Sequence, residues 1–158
     1  MSETDDKIDQ FEAIMLASHA ATEMPLKHFF LPGMYIRTIL MRKEQWVTSM
    51  VHNTIHAFFI RRGKISVFSE MLGEELVGTG HMGVTTPGTR RILYIHEETE
   101  WTTVHALPFI TGLENGLSEE EKEKIVTEIE DLILEKHINP LLGGVVKNNI
   151  VTPLIETE

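Results

Sequence analysis

The run MVHNTIHAFFIRRG, from Met50 to Gly63, decides how the rest of the chain is read, because two histidines four residues apart sit inside an otherwise β-prone stretch. What His52 and His56 can do together depends on the backbone between them. On a helix, positions i and i+4 share a face and can hold one metal ion. However, Val47, Thr48, Val51, Thr54, Ile55, Phe58, Phe59 and Ile60 are β-branched or aromatic, and no glutamate follows His52 as a zinc-protease motif requires. In an unbroken strand the four residues span roughly 13 Å, too far for two ligands bonded at about 2 Å to one ion. A bend between the histidines meets both constraints. Asn53-Thr54 is the place for it, since an asparagine side chain can satisfy local backbone groups; His52 then ends one strand and His56 begins the next.

The same stretch resembles the first motif of the cupin family, which runs glycine, five residues, His-x-His, three or four residues, Glu, six residues, glycine. Counting back from Gly63, His56 takes the family's glutamate position, His52 its second histidine and Met50 its first. The second cupin motif, glycine, five residues, Pro-x-Gly, two residues, His, three residues, Asn, resembles Gly80 to Ile95. Gly80 and Gly88 match, Thr86 replaces the proline with Pro87 beside it, Arg91 replaces the histidine and Ile95 the asparagine. The glycine frame is kept and the ligand set is altered. The resemblance covers roughly residues 33–107. Within the family it is similar to the small single-domain cupins encoded by bacteriophages, which share a run from a Pro-Gly to an end like Trp101-Thr102-Thr103-Val104-His105.

Bulk properties narrow the rest. With 158 residues and 42% hydrophobic content, one domain with terminal extensions is expected. A formal charge of −10 disfavours nucleic-acid polymers and anionic membranes as partners. The absence of cysteine removes disulfides, thiolate metal sites and cysteine nucleophiles. No apolar run approaches 18 residues and the amino terminus is acidic, so a cytoplasmic protein is expected, in the host cytoplasm if phage-encoded.

The predicted fold class is mainly β, a cupin-like jelly-roll barrel with an N-terminal and a C-terminal α-helix. Residues 1–33 form a helical extension, 34–107 the barrel, and 108–158 a C-terminal helix with an apolar docking tail. Strands are expected at Met34–Met41, Trp46–His52, His56–Ile60, Lys64–Ser69, Glu75–Val77, His81–Thr85, Arg90–His96 and Trp101–Ala106. Glu97–Glu100 reads as a hairpin loop joining the last two. That hairpin brings His105 near Arg91, and strand alternation sets Thr103 and His105 on one face. The candidate metal ligands are therefore His52, His56 and His105, a set suited to zinc, iron, nickel, manganese or copper with a position left open. Arg91, Met50 and Trp101 are candidate ligand-binding residues. A guanidinium at position 91 offers a rigid fork to carboxylate or phosphate, with Arg90 pointing outward and Arg61, Arg62 and Lys64 in a solvated turn. Alternatively, Arg91 pairs with Glu70 or Glu98. His19, His28, His81 and His96 read as peripheral.

Ile8, Phe11, Ile14 and Met15 recur at helical spacing, giving an amphipathic helix that packs on the barrel or on a partner subunit. Ser118 with Glu121 forms a capping box, opening a helix to about Lys136. The apolar tail from Leu141 to Ile155 must dock on its own barrel or on a sister protomer, so a homodimer or higher homo-oligomer is expected. Three readings of the site stay open: a metal centre, a metal-free pocket for a small molecule, and a structural cluster. Two main function classes follow. One is a metal-dependent enzyme acting on a small anionic substrate. The other is a non-catalytic protein that binds a small anion or nucleotide, or a host defence or signalling component; a virion component is a third class.

Overall fold

In the stretch from Met34 to Met41, Tyr35, Ile39 and Met41 are buried at alternate positions, the period-two pattern of a strand with one face on a core. A computed structural model describes residues 7–11, 13, 24–69, 73–135, 138–139, 144–145 and 150–153. It places this strand, β2 (Met34–Met41), between β1 (Leu26–Leu31) and β7 (Ile92–Ala106). β3 (Gln45–Thr48) pairs with the start of β7, and β4 (His56–Ser69) runs along the other side of β7. β5 (Gly73–Gly78) and β6 (Met82–Thr85) pair with the two halves of β4. All these pairings are antiparallel. The result is the mainly β jelly-roll architecture predicted, with helical segments at both ends.

Two long strands replace four predicted short ones. Residues 97–100, expected as a hairpin loop, lie inside β7, and residues 61–64, expected as a turn, lie inside β4. The charges that imitate loops are cross-strand ion pairs on the outer surface. Arg62 reaches Glu98 at 2.9 Å and Glu100 at 3.3 Å, and Arg42 reaches Glu98 at 2.9 Å. Between Ile60 and Ile65 the register of β4 against β7 shifts, so the strands bend there rather than end. Gly63, at φ 122°, makes this bend feasible: a Cβ at that position would stand 2.6 Å from the Thr99 Cα.

The roll encloses a core built around Met41, Val47, Ile60, Ile65, Leu93 and Ile95. A second cluster lies at the other end, where Phe30, Tyr35, Leu107 and Ile110 meet Val126, Ile129 and Ile133 of helix α1 (Glu119–Ile133). Full burial of a side chain such as Ile129 is worth roughly 1.5–3 kcal/mol, and three on one face fix the helix to the sheet. The capping box forms as predicted: the Ser118 Oγ accepts from the Glu121 backbone N–H and donates to its carboxylate.

Five further expectations are corrected or refined. β1 lies within the segment assigned to a helical extension; Pro32-Gly33 is the turn between β1 and β2, and Phe30 is buried against Tyr35. Arg90 lies on the face opposite Arg91, as expected, but it is buried rather than solvated because the N-terminal helical segment covers it. Its guanidinium meets Asp9 of the N-terminal helical segment at 2.7 Å, both side chains about 3% exposed. That segment packs on the barrel of its own chain, with Phe11 edge-on to Trp46. Helix α1 ends at Ile133 because Leu134 is extended and bridges His52. Of the apolar tail, β10 (Ile150–Pro153) pairs with β3, while β8 (Ile138–Asn139) and β9 (Gly144–Val145) pair with each other. Ile14, Met15, His19, Glu70, Lys136 and the remainder of the tail lie outside the described residues.

Candidate metal centre

The bend expected between His52 and His56 is present at Asn53-Thr54. Its support comes from helix α1 rather than from local turn bonds. The Asn53 backbone N–H donates to the Ile133 carbonyl, its side chain donates to the Leu132 carbonyl, and the Glu135 N–H donates to Val51. The first two bonds use carbonyls that a helix C-terminus leaves unsatisfied, and all three hold the chain around His52 against the end of α1. His56 opens β4. His105 arrives near the end of β7, next to the Ala57–Val104 pair of the β4–β7 ladder and opposite Tyr35 of β2. Thus His105 joins the other two through the β4–β7 pairing; the predicted 90–106 hairpin register does not exist.

The three imidazoles form a buried cluster whose ligand nitrogens all lie within 4.8 Å of one another. Ring centroids are 4.4 Å apart for His52–His56, 4.5 Å for His56–His105 and 5.5 Å for His52–His105. Each ring has one nitrogen engaged away from the cluster. His105 Nε2 is 2.9 Å from the Thr103 Oγ1, His56 Nδ1 is 3.4 Å from the Thr54 carbonyl oxygen, and His52 bonds the Met50 backbone. The opposite nitrogens, His52 Nε2 and His105 Nδ1, are buried without a hydrogen-bond partner. Outward hydrogen bonds that fix the tautomer are how metal-bound histidines are oriented, and orphaned buried acceptors are costly without a ligand. Donor set and orphaned nitrogens together fit a borderline divalent ion.

Electrostatics keep the rings neutral and so able to ligate. Burial, followed by the neighbouring His56 and Arg37, pushes His52 down to about 2 and His105 down to about 3. His56 is lowered chiefly by burial, with Arg37 and Arg91 adding to it. A metal ion would therefore not compete with protons at neutral pH.

Beside the cluster is a small cavity of about 50 Å³, lined in part by His52, His56, Met50, Arg91, Trp101 and Arg37. That exceeds the roughly 10–15 Å³ that a single water needs, so the cavity is large enough for water or a small ligand group. Arg91 is half-buried, donates to the Thr85 Oγ1 at 3.1 Å and sits 5.4 Å over the Phe58 ring. Its guanidinium is destabilised chiefly by burial. The alternative partner Glu98 is instead held by Arg42 and Arg62. Trp101 stacks on Phe58 at 4.5 Å with planes 8° apart, which makes it a rigid wall.

Arg37 is the residue that sequence reasoning missed. It stands opposite Thr103 and shares its row with Tyr35, Ile39 and Met41. A signal was present: an arginine at the inward position of an alternating strand. The peripheral histidines stay peripheral. His28 Nδ1 lies 2.6 Å from the Tyr35 hydroxyl, His96 Nε2 lies 2.7 Å from the Ser66 hydroxyl, and His81 faces Glu75 at 3.8 Å.

No protein-family model and no curated protein matches the sequence. Among solved structures, the chain is similar to ectoine synthase from P. lautus, at 14% identity over 61% of this chain and 74% of that one, with a TM-score of 0.48. It is also similar to an RmlC-like cupin family protein with a double-stranded β-helix fold from Methanocaldococcus jannaschii, at 14% identity over 56% and 84% of the two chains, with a TM-score of 0.44. A third is the DMSP lyase DddQ from Ruegeria pomeroyi, at 12% identity over 51% and 45%, with a TM-score of 0.44. Two of these three are named as enzymes and one as a cupin with a double-stranded β-helix fold.

Proposed function

We propose that this chain is a cupin-type protein of the small phage-encoded kind. In this reading His52, His56 and His105 hold a divalent transition metal, and Arg37 and Arg91 draw a small anionic ligand to it. The observation that carries the reading is the triad itself: one nitrogen of each ring is hydrogen-bonded to a residue outside the cluster, His52 Nε2 and His105 Nδ1 are buried without a partner, and the three residues' ligand atoms lie within 4.8 Å of one another. Three neutral imidazoles suit zinc, iron, nickel, copper or manganese. When bound, the ion supplies a Lewis acid that polarises a ligand oxygen or makes bound water more acidic. The chain's own residues do the rest. Arg37 on β2 and Arg91 just ahead of β7 neutralise and orient the anion, Met50 and Trp101 bound the space, and Leu134 after α1 bridges to His52 and holds it in place.

A second reading is favoured by one specific observation. The cavity lining contains no aspartate or glutamate among the described residues, so a carboxylate general base is missing. On that basis the same site can bind and sequester an anion without turnover; a host protein or virion role rests on the phage resemblance alone. Calorimetric titration of metal-loaded protein with phosphate and with small carboxylates tests the anion assignment. Arg37→Met and Arg91→Met are each expected to weaken the tightest binder by about 10-fold or more, as loss of a charge-assisted bond of 1.5–3 kcal/mol implies. Unchanged affinity in both variants would contradict it.

A further inference from the structure

Next to the metal chamber lies a second, larger cavity, of about 240 Å³ against about 50 Å³, lined in part by Phe58, Val67, Val77, Met82 and Glu75. Trp101 lines the metal chamber and its stacking partner Phe58 lines the outer cavity, so the stacked pair is a dividing wall. Among the described residues Arg91 alone lines both spaces. Gly83 sets the position of the wall. It pairs with Phe58 across β6 and β4, and a Cβ there would stand 2.7 Å from the Phe58 Cζ, so the missing side chain is what lets the ring lie against β6. Arg91 is fixed through its backbone, whose N–H donates to the Ser49 Oγ and whose carbonyl accepts from the Ser49 N–H. Its guanidinium has five donors. Thr85 accepts from one of them, the Phe58 ring lies beneath, and among the described residues no carboxylate forms an ion pair with it.

We propose that the ligand is a monocarboxylate with an apolar body, its head held by Arg91 at the metal chamber and its tail lying in the outer cavity against Phe58, Val67 and Val77. The inference rests on the reading of Arg91 as an anion ligand and adds the class of molecule that carries the anion. Three features support it. The metal chamber, at about 50 Å³, takes a head group and little more, so a longer molecule bound to Arg91 extends into the adjoining cavity. That cavity offers apolar walls, and a hydrocarbon tail entering it leaves water. The third feature is charge. Glu75 pairs directly with Val67 and so projects to the same side of the sheet. It stands half-exposed at the rim, 3.8 Å from His81. Burial destabilises the Arg91 guanidinium and Glu75 partly offsets this, so the carboxylate acts across the cavity. A second negative charge at the far end of a ligand would meet Glu75, which selects against dianions.

Calorimetric titration of the full chain, as purified, with acetate, butyrate, hexanoate and adipate tests the proposal. Affinity should rise about threefold per methylene, roughly tenfold from acetate to butyrate and roughly 100-fold from acetate to hexanoate, as burial of each CH₂ implies. Val67→Phe, which fills the outer cavity, should bring the hexanoate-to-acetate ratio to within about threefold of unity. Adipate, which carries a second carboxylate at the far end of the same chain, should bind about 10-fold or more weaker than hexanoate, and Glu75→Gln should narrow that gap about threefold. Circular dichroism checks that Val67→Phe is folded; should it not fold, the wild-type series and Glu75→Gln, at a half-exposed position, decide by themselves. Affinity that does not rise with chain length overturns the inference, as does a chain-length gain kept in folded Val67→Phe or adipate binding as tight as hexanoate. In those cases acetate binding weakened by Arg91→Met leaves the anion reading standing. Acetate and hexanoate affinities that both ignore Arg91→Met overturn the inference and the anion reading together.

Discussion

Lowering the pH from 7 to 5 should destabilise the metal-free protein steeply, and the size of the effect follows from the buried histidines. His52 and His105 fall to about 2 and about 3 in the folded chain, against 6.5 when unfolded. Both are therefore neutral in the folded state throughout this range. Unfolded, they take up protons as the pH passes below 6.5, so the unfolded state binds more protons and stability falls. Each group then costs about 1.4 kcal/mol per pH unit below its unfolded value, which integrates to roughly 2 kcal/mol per histidine, or about 4 kcal/mol for the pair. His56, shifted the same way by burial, adds to the loss. The stabilisation is complete above pH 6.5. The lowered carboxylates Glu98 and Glu114 act only at lower pH, outside the window. Urea unfolding of chelator-treated protein at half-unit intervals reads the slope, and the His52→Gln/His105→Gln double variant should lose about half of it or more. Equal stability at pH 7 and pH 5, or an unchanged slope in the double variant, would refute the reasoning.

Two further perturbations test the parts of the fold that hold the site. Gly63→Ala should cost about 2–4 kcal/mol in urea midpoint analysis, because φ 122° is glycine territory and the new Cβ meets the Thr99 backbone; a loss below 0.5 kcal/mol would mean that the β4 bulge is not needed. Arg90→Met should cost about 3–5 kcal/mol by leaving the Asp9 carboxylate buried beside an uncharged side chain. Asp9→Leu/Arg90→Met should recover much of that, and additive losses would argue against direct coupling.

What the sequence made legible was governed by local chemistry. The capping box at Ser118 and the alternation in Met34–Met41 each follow from residues close in the chain, while the bend at Asn53-Thr54 is marked by its asparagine but held by the distant end of α1. Misreadings arose where a partner strand changes the meaning of a segment. Glu98 and Glu100 look like loop residues until Arg42, Arg61 and Arg62 lie opposite them. Arg90 looks like a surface residue until Asp9, 81 positions away, reaches it. The proximity of His105 to His52 and His56 was inferred through a hairpin that is absent, and it arises through β4. Arg37 was overlooked because charge alone marks an arginine as exposed, whereas its slot in the row of Tyr35, Ile39 and Met41 turns it inward.

The metal assignment is tested most directly by elemental analysis of the purified, untagged protein with His52→Ala in parallel. Near-stoichiometric zinc, iron, nickel, copper or manganese in the wild type, lost in the variant, is the predicted result. Wild-type protein that carries no metal and takes up none when it is added, or a variant that keeps the wild-type content, would contradict the account.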